Sequence, residues 1–293
     1  MDGLVVVDKP AGMTSHDVVS RLRRIFGQKR IGHAGTLDPG ATGVLVVGLG
    51  RVTRLLQFLS AMGKSYRGRI VFGVATDTLD AAGKVVERCP IPSLDRARIE
   101  TATAAFLGAV EQTPPMVSAV KIGGRRLHEL HRAGIEVERP SRRVEISRFE
   151  VESFSDGEEP FAEVLVDCSS GTYVRVLAAD LGLALGGVAH LGALRRLRVG
   201  SFTIDEARSL EAIAAAPTES ALAPVVAVRD FEQVRMDPEL ARAVRGGASV
   251  PISALPVGAE VGSLVALLDE TGALLAIYER GQAGARPVVV LGG

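Results

Sequence analysis

The sequence predicts an α+β protein with a largely antiparallel sheet and a small C-terminal β domain. Three observations lead there. Apolar runs of strand length are mixed with amphipathic helical stretches, without the strict alternation of a parallel α/β sheet. Hydrophobic residues make up 47% and charged residues 23% of 293, a balance that fills the core of one large or two smaller domains. Beyond Arg229 the chain breaks into short apolar stretches between glycines, such as residues 262–268 and 274–278, which is the pattern of a small β unit.

The elements follow in order. Residues 4–7 are an apolar strand closed by the turn Asp8-Lys9-Pro10. Ser15 is expected to cap a helix reaching Phe26, with Val18, Val19, Leu22, Ile25 and Phe26 on one face. Arg21, Arg23, Arg24, Lys29 and Arg30 occupy its other side and end. A glycine-rich loop, 32–43, precedes an apolar strand at 44–47. Residues 52–59 read as a short helix, 65–72 as an alternating strand and 75–83 as a polar turn. A helix at 95–107, a strand at 117–122 and a helix at 127–133 come next. Residues 142–155 and 161–168 read as two long antiparallel strands. A helix at 172–185, a strand at 194–202 and a helix at 206–215 close the main domain. Residues 214–228, rich in Ala, Pro and Thr, read as a linker. The main domain is therefore expected over 1–213 and the small one over 229–293.

Charge and cysteine usage narrow the function. The net charge is zero, which excludes a uniformly basic nucleic-acid binder but not a dipolar one. Residues 1–60 and 121–148 each carry more Lys and Arg than Asp and Glu. Cys89 and Cys168 show no C-x-x-C spacing, and no zinc site is expected. The apolar run near the N-terminus is too short for a signal peptide, and no run has the length of a membrane span. A cytoplasmic protein without membrane contact is expected.

Several motifs fail on their own mechanics. Gly63-Lys64-Ser65 resembles the end of a phosphate-binding loop, but Phe58 stands where its first glycine belongs. In the glycine pattern starting at Gly48, Thr53 replaces the third glycine of a dinucleotide fingerprint. Ser118 and Lys121 have an acyl-transfer spacing without its companion motifs. His128 and His131 lie at helical spacing but without the H-E-x-x-H pattern of a metalloprotease helix. The informative stretch is Gly32-His33-Ala34-Gly35-Thr36-Leu37-Asp38-Pro39-Gly40-Ala41-Thr42-Gly43, a bend-rich loop carrying one His and one Asp. Tyr66 at a strand start, and Tyr173 and Arg175 at a strand–helix junction, are placed to line a cleft. Taken alone, each also suits an ordinary core ring or surface ion pair.

That loop closely resembles the signature of the bacterial tRNA pseudouridine-55 synthases, the TruB family. Residues 3–15 with Asp8-Lys9-Pro10-Ala11-Gly12-Met13, Lys64-Ser65-Tyr66, Thr76 to Gly83, Met116 to Lys121, Gly171 to Arg175 and His190 to Leu197 resemble its other motifs, in order, across residues 3–200. The resemblance implies a catalytic domain on a bent mixed sheet and a PUA-like C-terminal domain. It implies isomerisation of one uridine in the tRNA T arm, with neither cofactor nor metal. It implies that Asp38 is the essential carboxylate, attacking C1′ of the ribose or C6 of the base, and that Arg175 pairs with it. Tyr66 would stack on the target base, and its hydroxyl is a candidate for proton transfer. His33 would fill the vacated stack after the base flips out. Tyr173 and Leu194 would line the uracil pocket, with Asp80 near it. Arg24, Lys29, Arg30, Arg142 and Arg143 would then contact RNA phosphates, with 121–148 as a mobile basic insertion. The expected partner is tRNA alone, bound by a monomer. A non-enzymatic RNA-folding protein on the same scaffold competes as a sole function, and its discriminating feature would be loss of Asp38. A second role in tRNA folding is compatible with either.

Overall fold

The structure, a computed structural model, describes residues 1–116, 121–122, 125–126, 135, 137–255 and 260–291. The expected helix at 127–133 and most of the expected strand at 117–122 lie outside them. In chain order the strands are β1 (Gly3–Lys9), β2 (Ile31–His33), β3 (Thr42–Leu49), β4 (Lys64–Phe72), β5 (Val74–Thr76), β6 (Val85–Arg88) and β7 (Gly108–Gln112). There follow β8 (Lys121–Ile122), β9 (Arg125–Arg126), β10 (Arg142–Ser155), β11 (Phe161–Cys168), β12 (Ala189–Val199) and β13 (Phe202–Thr203). The C-terminal part holds β14 (Glu232–Arg235), β15 (Val250–Pro251), β16 (Leu264–Leu268), β17 (Leu274–Arg280) and β18 (Gly284–Val290).

The main sheet runs β1-β3-β12-β4-β11-β10-β7, with β2 beside β3 and β13 beside β12. It is mixed: β12 pairs parallel with β3, while its partner on the other side, β4, is antiparallel. β1 and β3 are buried on both faces, which is why they read as unbroken apolar runs. β4 is half-covered instead. Lys64, Tyr66, Gly68, Ile70 and Phe72 face inward. Arg67 and Arg69 face out and pair with Glu152 on β10 and Glu163 on the adjacent β11. Period-2 alternation therefore aims Tyr66 at the interior.

The helix Ser15–Ile25 is capped by Thr14, not Ser15: Thr14 and Asp17 exchange hydrogen bonds in a capping box. Ser15 is buried for another purpose. Its hydroxyl accepts from the Leu37 amide at 2.8 Å and donates to the Leu37 carbonyl at 3.2 Å. Residues 142–148, expected at the end of a mobile insertion, lie in β10, paired with β7 and β11. Arg142 to Ile146 pair with β7, and Ile146 and Arg148 with β11. The helix after β11 starts at Val174 rather than 172, with Tyr173 as its N-cap residue.

The expected linker at 214–228 is packed chain. It holds the short helices Pro217–Ser220 and Pro224–Val228, and Leu222 exchanges both backbone hydrogen bonds with Leu4 on β1. The C-terminal sheet, in the order β14-β16-β17-β18-β15, uses both faces. One covers the helix Pro238–Arg245 through Val265, Leu267, Leu275 and Tyr278. The other joins the core of the main domain, where Ala266, Leu268 and Ile277 cluster with Leu4, Val44 and Leu55. Arg51 and Arg54 donate to the carbonyls of Leu291 and Val290 across the same seam. Ile277 is fully buried there. Ile277→Ala is expected to cost roughly 2–5 kcal/mol and to lower a single melting transition of the whole chain. Separate transitions, with the upper one unmoved, would show two independent domains.

Candidate active site

The loop carrying Asp38 is tied down from below. Lys9, fully buried at the end of β1, donates through Nζ to the carbonyls of Pro10, Met13 and Pro39. The Gly12 amide donates to the same Pro39 carbonyl at 2.9 Å, and the Ala41 amide to the Asp38 carbonyl at 3.0 Å. With Ser15 on Leu37, the residues on both sides of Asp38 are fixed. Gly43 closes the loop at φ 100°, and a Cβ there would lie 2.1 Å from the Arg196 carbonyl oxygen. Only glycine allows that approach.

Asp38 opens into a cleft of about 360 Å³ whose walls include Tyr66, Tyr173, Arg175, Leu194 and Arg196. Arg175 enters from the first turn of the helix Val174–Ala184. Its Nε lies 3.1 Å from Asp38 Oδ2, and its Nη1 lies 3.4 Å from Asp80 Oδ2 and donates to the Thr78 carbonyl at 3.1 Å. The Arg175 side chain is 4% exposed, whereas that of Asp38 is 43% exposed. One guanidinium thus holds two carboxylates and leaves only the first open to the cleft. Asp80 is fixed in turn by the Thr78 hydroxyl at 2.6 Å and the Ala82 amide at 3.1 Å. A smaller cavity of about 140 Å³, lined by Asp80, lies beyond this network and shares Asp38, Arg175 and Leu194 with the cleft wall.

Burial pushes the Asp38 carboxyl above the ordinary aspartate value of 3.8, and the nearby Asp80 charge adds to this. The Arg175 and Lys9 charges oppose it. Burial likewise raises the Tyr66 hydroxyl, against the charge of Arg196. Lys64, also in the cleft wall, is pulled down to about 8, chiefly by burial and then by Arg196. Burial lowers His33 too, again with help from Arg196.

Tyr173 is set by Gln112, a buried side chain at the end of β7. Gln112 accepts from the Tyr173 amide at 3.0 Å and donates to its carbonyl at 3.3 Å. The Arg142 guanidinium stacks 4.7 Å above the Tyr173 ring and donates to the Gly171 carbonyl. Arg142 is thus the one expected phosphate-contacting arginine that also lines the cleft.

The structure therefore brings Asp38, Tyr66, Tyr173, Arg175 and Leu194 to one cleft, with Asp80 joined through Arg175. It does not bring His33 into the cleft lining: His33 is half-buried on β2. Arg24, Lys29, Arg30 and Arg143 are exposed away from the lining. Lys9, Lys64, Gln112 and Arg196 were not singled out from the sequence. Their residue types ordinarily lie at the surface, so nothing local marks them. Among the described residues, no group of three His, Cys, Asp or Glu side chains is placed to hold a metal. No helix of the described chain is long and apolar enough to cross a membrane.

Comparison with known proteins gives two family matches. Residues 23–174 match the N-terminal domain of the TruB family pseudouridylate synthases, and residues 175–229 match the tRNA pseudouridylate synthase B C-terminal domain. The chain is 46% identical to tRNA pseudouridine synthase B of Mycobacterium sp. (strain KMS), over 99% of this chain and 96% of that protein. It is also 46% identical to the protein of the same name from Thermobifida fusca (strain YX), over 100% of this chain and 99% of the other. Among solved structures, a Cbf5-Nop10-Gar1 complex contains a chain that matches with a TM-score of 0.76 at 26% identity, over 98% of this chain and 83% of that one. A chain in an H/ACA ribonucleoprotein bound to a substrate RNA containing 2′-deoxyuridine shares the fold, with a TM-score of 0.76 at 24% identity, over 99% of this chain and 85% of that one.

Proposed function

The chain belongs to the TruB family of pseudouridylate synthases, and from that premise we propose that it isomerises uridine 55 in the T arm of tRNA with Asp38 as the nucleophile. As a tRNA pseudouridine synthase it breaks the bond from C1′ to N1 and joins C1′ to C5 of the same uracil. The C5 proton leaves to solvent and N1 gains one, so no atom is added or lost. The observation that carries the reading is the Asp38–Arg175–Asp80 network beside Tyr66 and Tyr173. It supplies an oriented and accessible carboxylate, beside a guanidinium that favours its charged form, against a ring-lined pocket, which is what temporary covalent custody of the ribose or base requires.

The target base must leave its stack to reach this pocket, at a cost of roughly a few kcal/mol. In this reading Tyr66 receives the flipped ring, Tyr173 and Leu194 enclose it, and His33 takes its place in the RNA. Arg175 keeps the Asp38 carboxylate charged against burial, and Asp80 keeps Arg175 in place. The test is the nucleoside composition of T-arm RNA after incubation with the purified chain. One pseudouridine per RNA, at position 55, is the expected result. An unchanged uridine content, or pseudouridine at scattered positions, would sink the assignment.

The exposed cations have a separate task in this reading. Arg143 points outward from β10, beside the cleft-lining Arg142. If it meets a phosphate, Arg143→Ala flattens the slope of log affinity against log salt by roughly 0.7–0.9. It leaves the modified position unchanged, because phosphate contacts position the RNA and the pocket reads the base. A slope equal to that of the wild type would mean that Arg143 faces only solvent.

A further inference from the structure

Arg196 is 1% exposed, in the wall of the cleft. A guanidinium so far from water ordinarily faces a carboxylate, because a buried charge is costly without compensation. Its hydrogen-bond partners among the described residues are instead three main-chain carbonyls. Nε donates to Val44 at 2.7 Å, one terminal nitrogen to Gly35 at 3.1 Å and the other to Thr36 at 3.4 Å. Gly35 and Thr36 immediately precede Leu37 and Asp38 in the loop. In the sheet, Arg196 is the register partner of Tyr66 on β4 and of Gly43 on β3. It therefore sits where the far end of the Asp38 loop, the near end of that loop and the tyrosine strand meet. A bulge lies directly after it, between Arg196 and Arg198, and bulges next to active sites commonly re-aim a side chain. The charge of Arg196 also acts on Tyr66, Lys64, Lys9 and His33.

We propose that Arg196 is a positioning residue for the isomerisation: from its place opposite Tyr66 in the sheet, its planar guanidinium holds the main chain leading to Asp38 in one arrangement against the tyrosine strand, so that carboxylate and ring meet the same uracil. The proposal rests on the reading of the site as a uridine isomerase. Its geometry separates Arg196 from the arginines that would touch RNA. With so little of its surface open, it offers nothing for a phosphate to contact, so its loss affects the chemical step and spares binding. A lysine keeps the charge but has one nitrogen in place of the fork, and cannot reach all three carbonyls together.

The experiment measures single-turnover pseudouridine formation, tRNA affinity and thermal melting for the wild type, Arg196→Lys, Tyr66→Phe and the double variant. Arg196→Gln is carried in parallel in case the lysine variant does not fold. The expected result is a fall of tenfold or more in the single-turnover rate of Arg196→Lys, with tRNA affinity within threefold. In the Tyr66→Phe background the same substitution is expected to cost at least threefold less, because part of what the alignment of loop and ring serves is already gone. An equal loss in both backgrounds would overturn the proposal in favour of a scaffold role. So would an unchanged rate, a parallel loss of affinity, or failure of both Arg196 variants to fold at 25 °C. The wild-type rate on the same RNA tests the isomerase reading itself. The ratio of variant to wild type tests Arg196, so the two failures are distinct.

Discussion

Asp38→Asn is expected to lower pseudouridine formation by at least about ten-thousandfold, or roughly 5.4 kcal/mol at 1.36 kcal/mol per decade. tRNA affinity is expected to stay within about tenfold, or roughly 1.4 kcal/mol. An amide has nearly the shape of a carboxylate but is no nucleophile. The loop that carries it is held by Ser15, Lys9 and the Gly12 amide, none of which bonds the Asp38 side chain. The scaffold has no reason to move. Rate and filter binding read on one preparation separate the two effects. Appreciable turnover by the asparagine variant would remove Asp38 from its role.

Arg175→Lys has the second largest expected effect, a loss of about a hundredfold or more in the chemical step, roughly 2.7 kcal/mol. The guanidinium reaches Asp38 through Nε, and Asp80 and the Thr78 carbonyl through Nη1. A single ammonium cannot span those three positions. Asp38 is 43% exposed, so water screens part of the lost attraction, and the estimate stays below that for a sealed ion pair. Arg175→Gln adds a pH test with a definite sign. The Arg175 charge holds the Asp38 carboxyl down against burial. Without it the carboxyl rises further, and the rate is lost at a higher pH as the solution is acidified. An acid limb at the wild-type position would mean that Arg175 does not act on the ionisation that matters.

What the sequence shows of this fold follows the range of the interactions involved. β4 and β11 are legible because alternation along one strand reports which face is covered. β7, at the sheet edge with its alternate residues exposed, carries almost no apolar signal and was missed. By sequence Ser15 reads as the helix cap, although Thr14 and Asp17 have the capping-box spacing. Two adjacent hydroxyls leave that choice to the tertiary bond with Leu37. The 214–228 stretch looked like a linker because its composition is that of one, and its packing against Leu4 is a pairing across most of the chain. For the same reason the shared core of Leu4 with Leu268 and Ile277 could not be read locally. At the site, the resemblance carried Asp38, Tyr66 and Arg175. Composition and spacing alone left each of them with an ordinary structural explanation. Lys9, Gln112 and Arg196 are visible only once the fold shows polar groups buried against main-chain carbonyls and amides.

The proposal that Asp38, held by Arg175, isomerises one uridine of tRNA has a direct test. Forming the bond from C1′ to C5 expels the hydrogen at C5, and nothing else in the reaction does so. A T-arm RNA carrying tritium only at C5 of uridine 55 therefore reports the chemistry directly. The wild-type chain is expected to release one tritium per RNA to water, and Asp38→Asn none above background at the same RNA occupancy. Full retention of tritium by RNA bound to the wild type, or equal release by both proteins, would contradict the proposal.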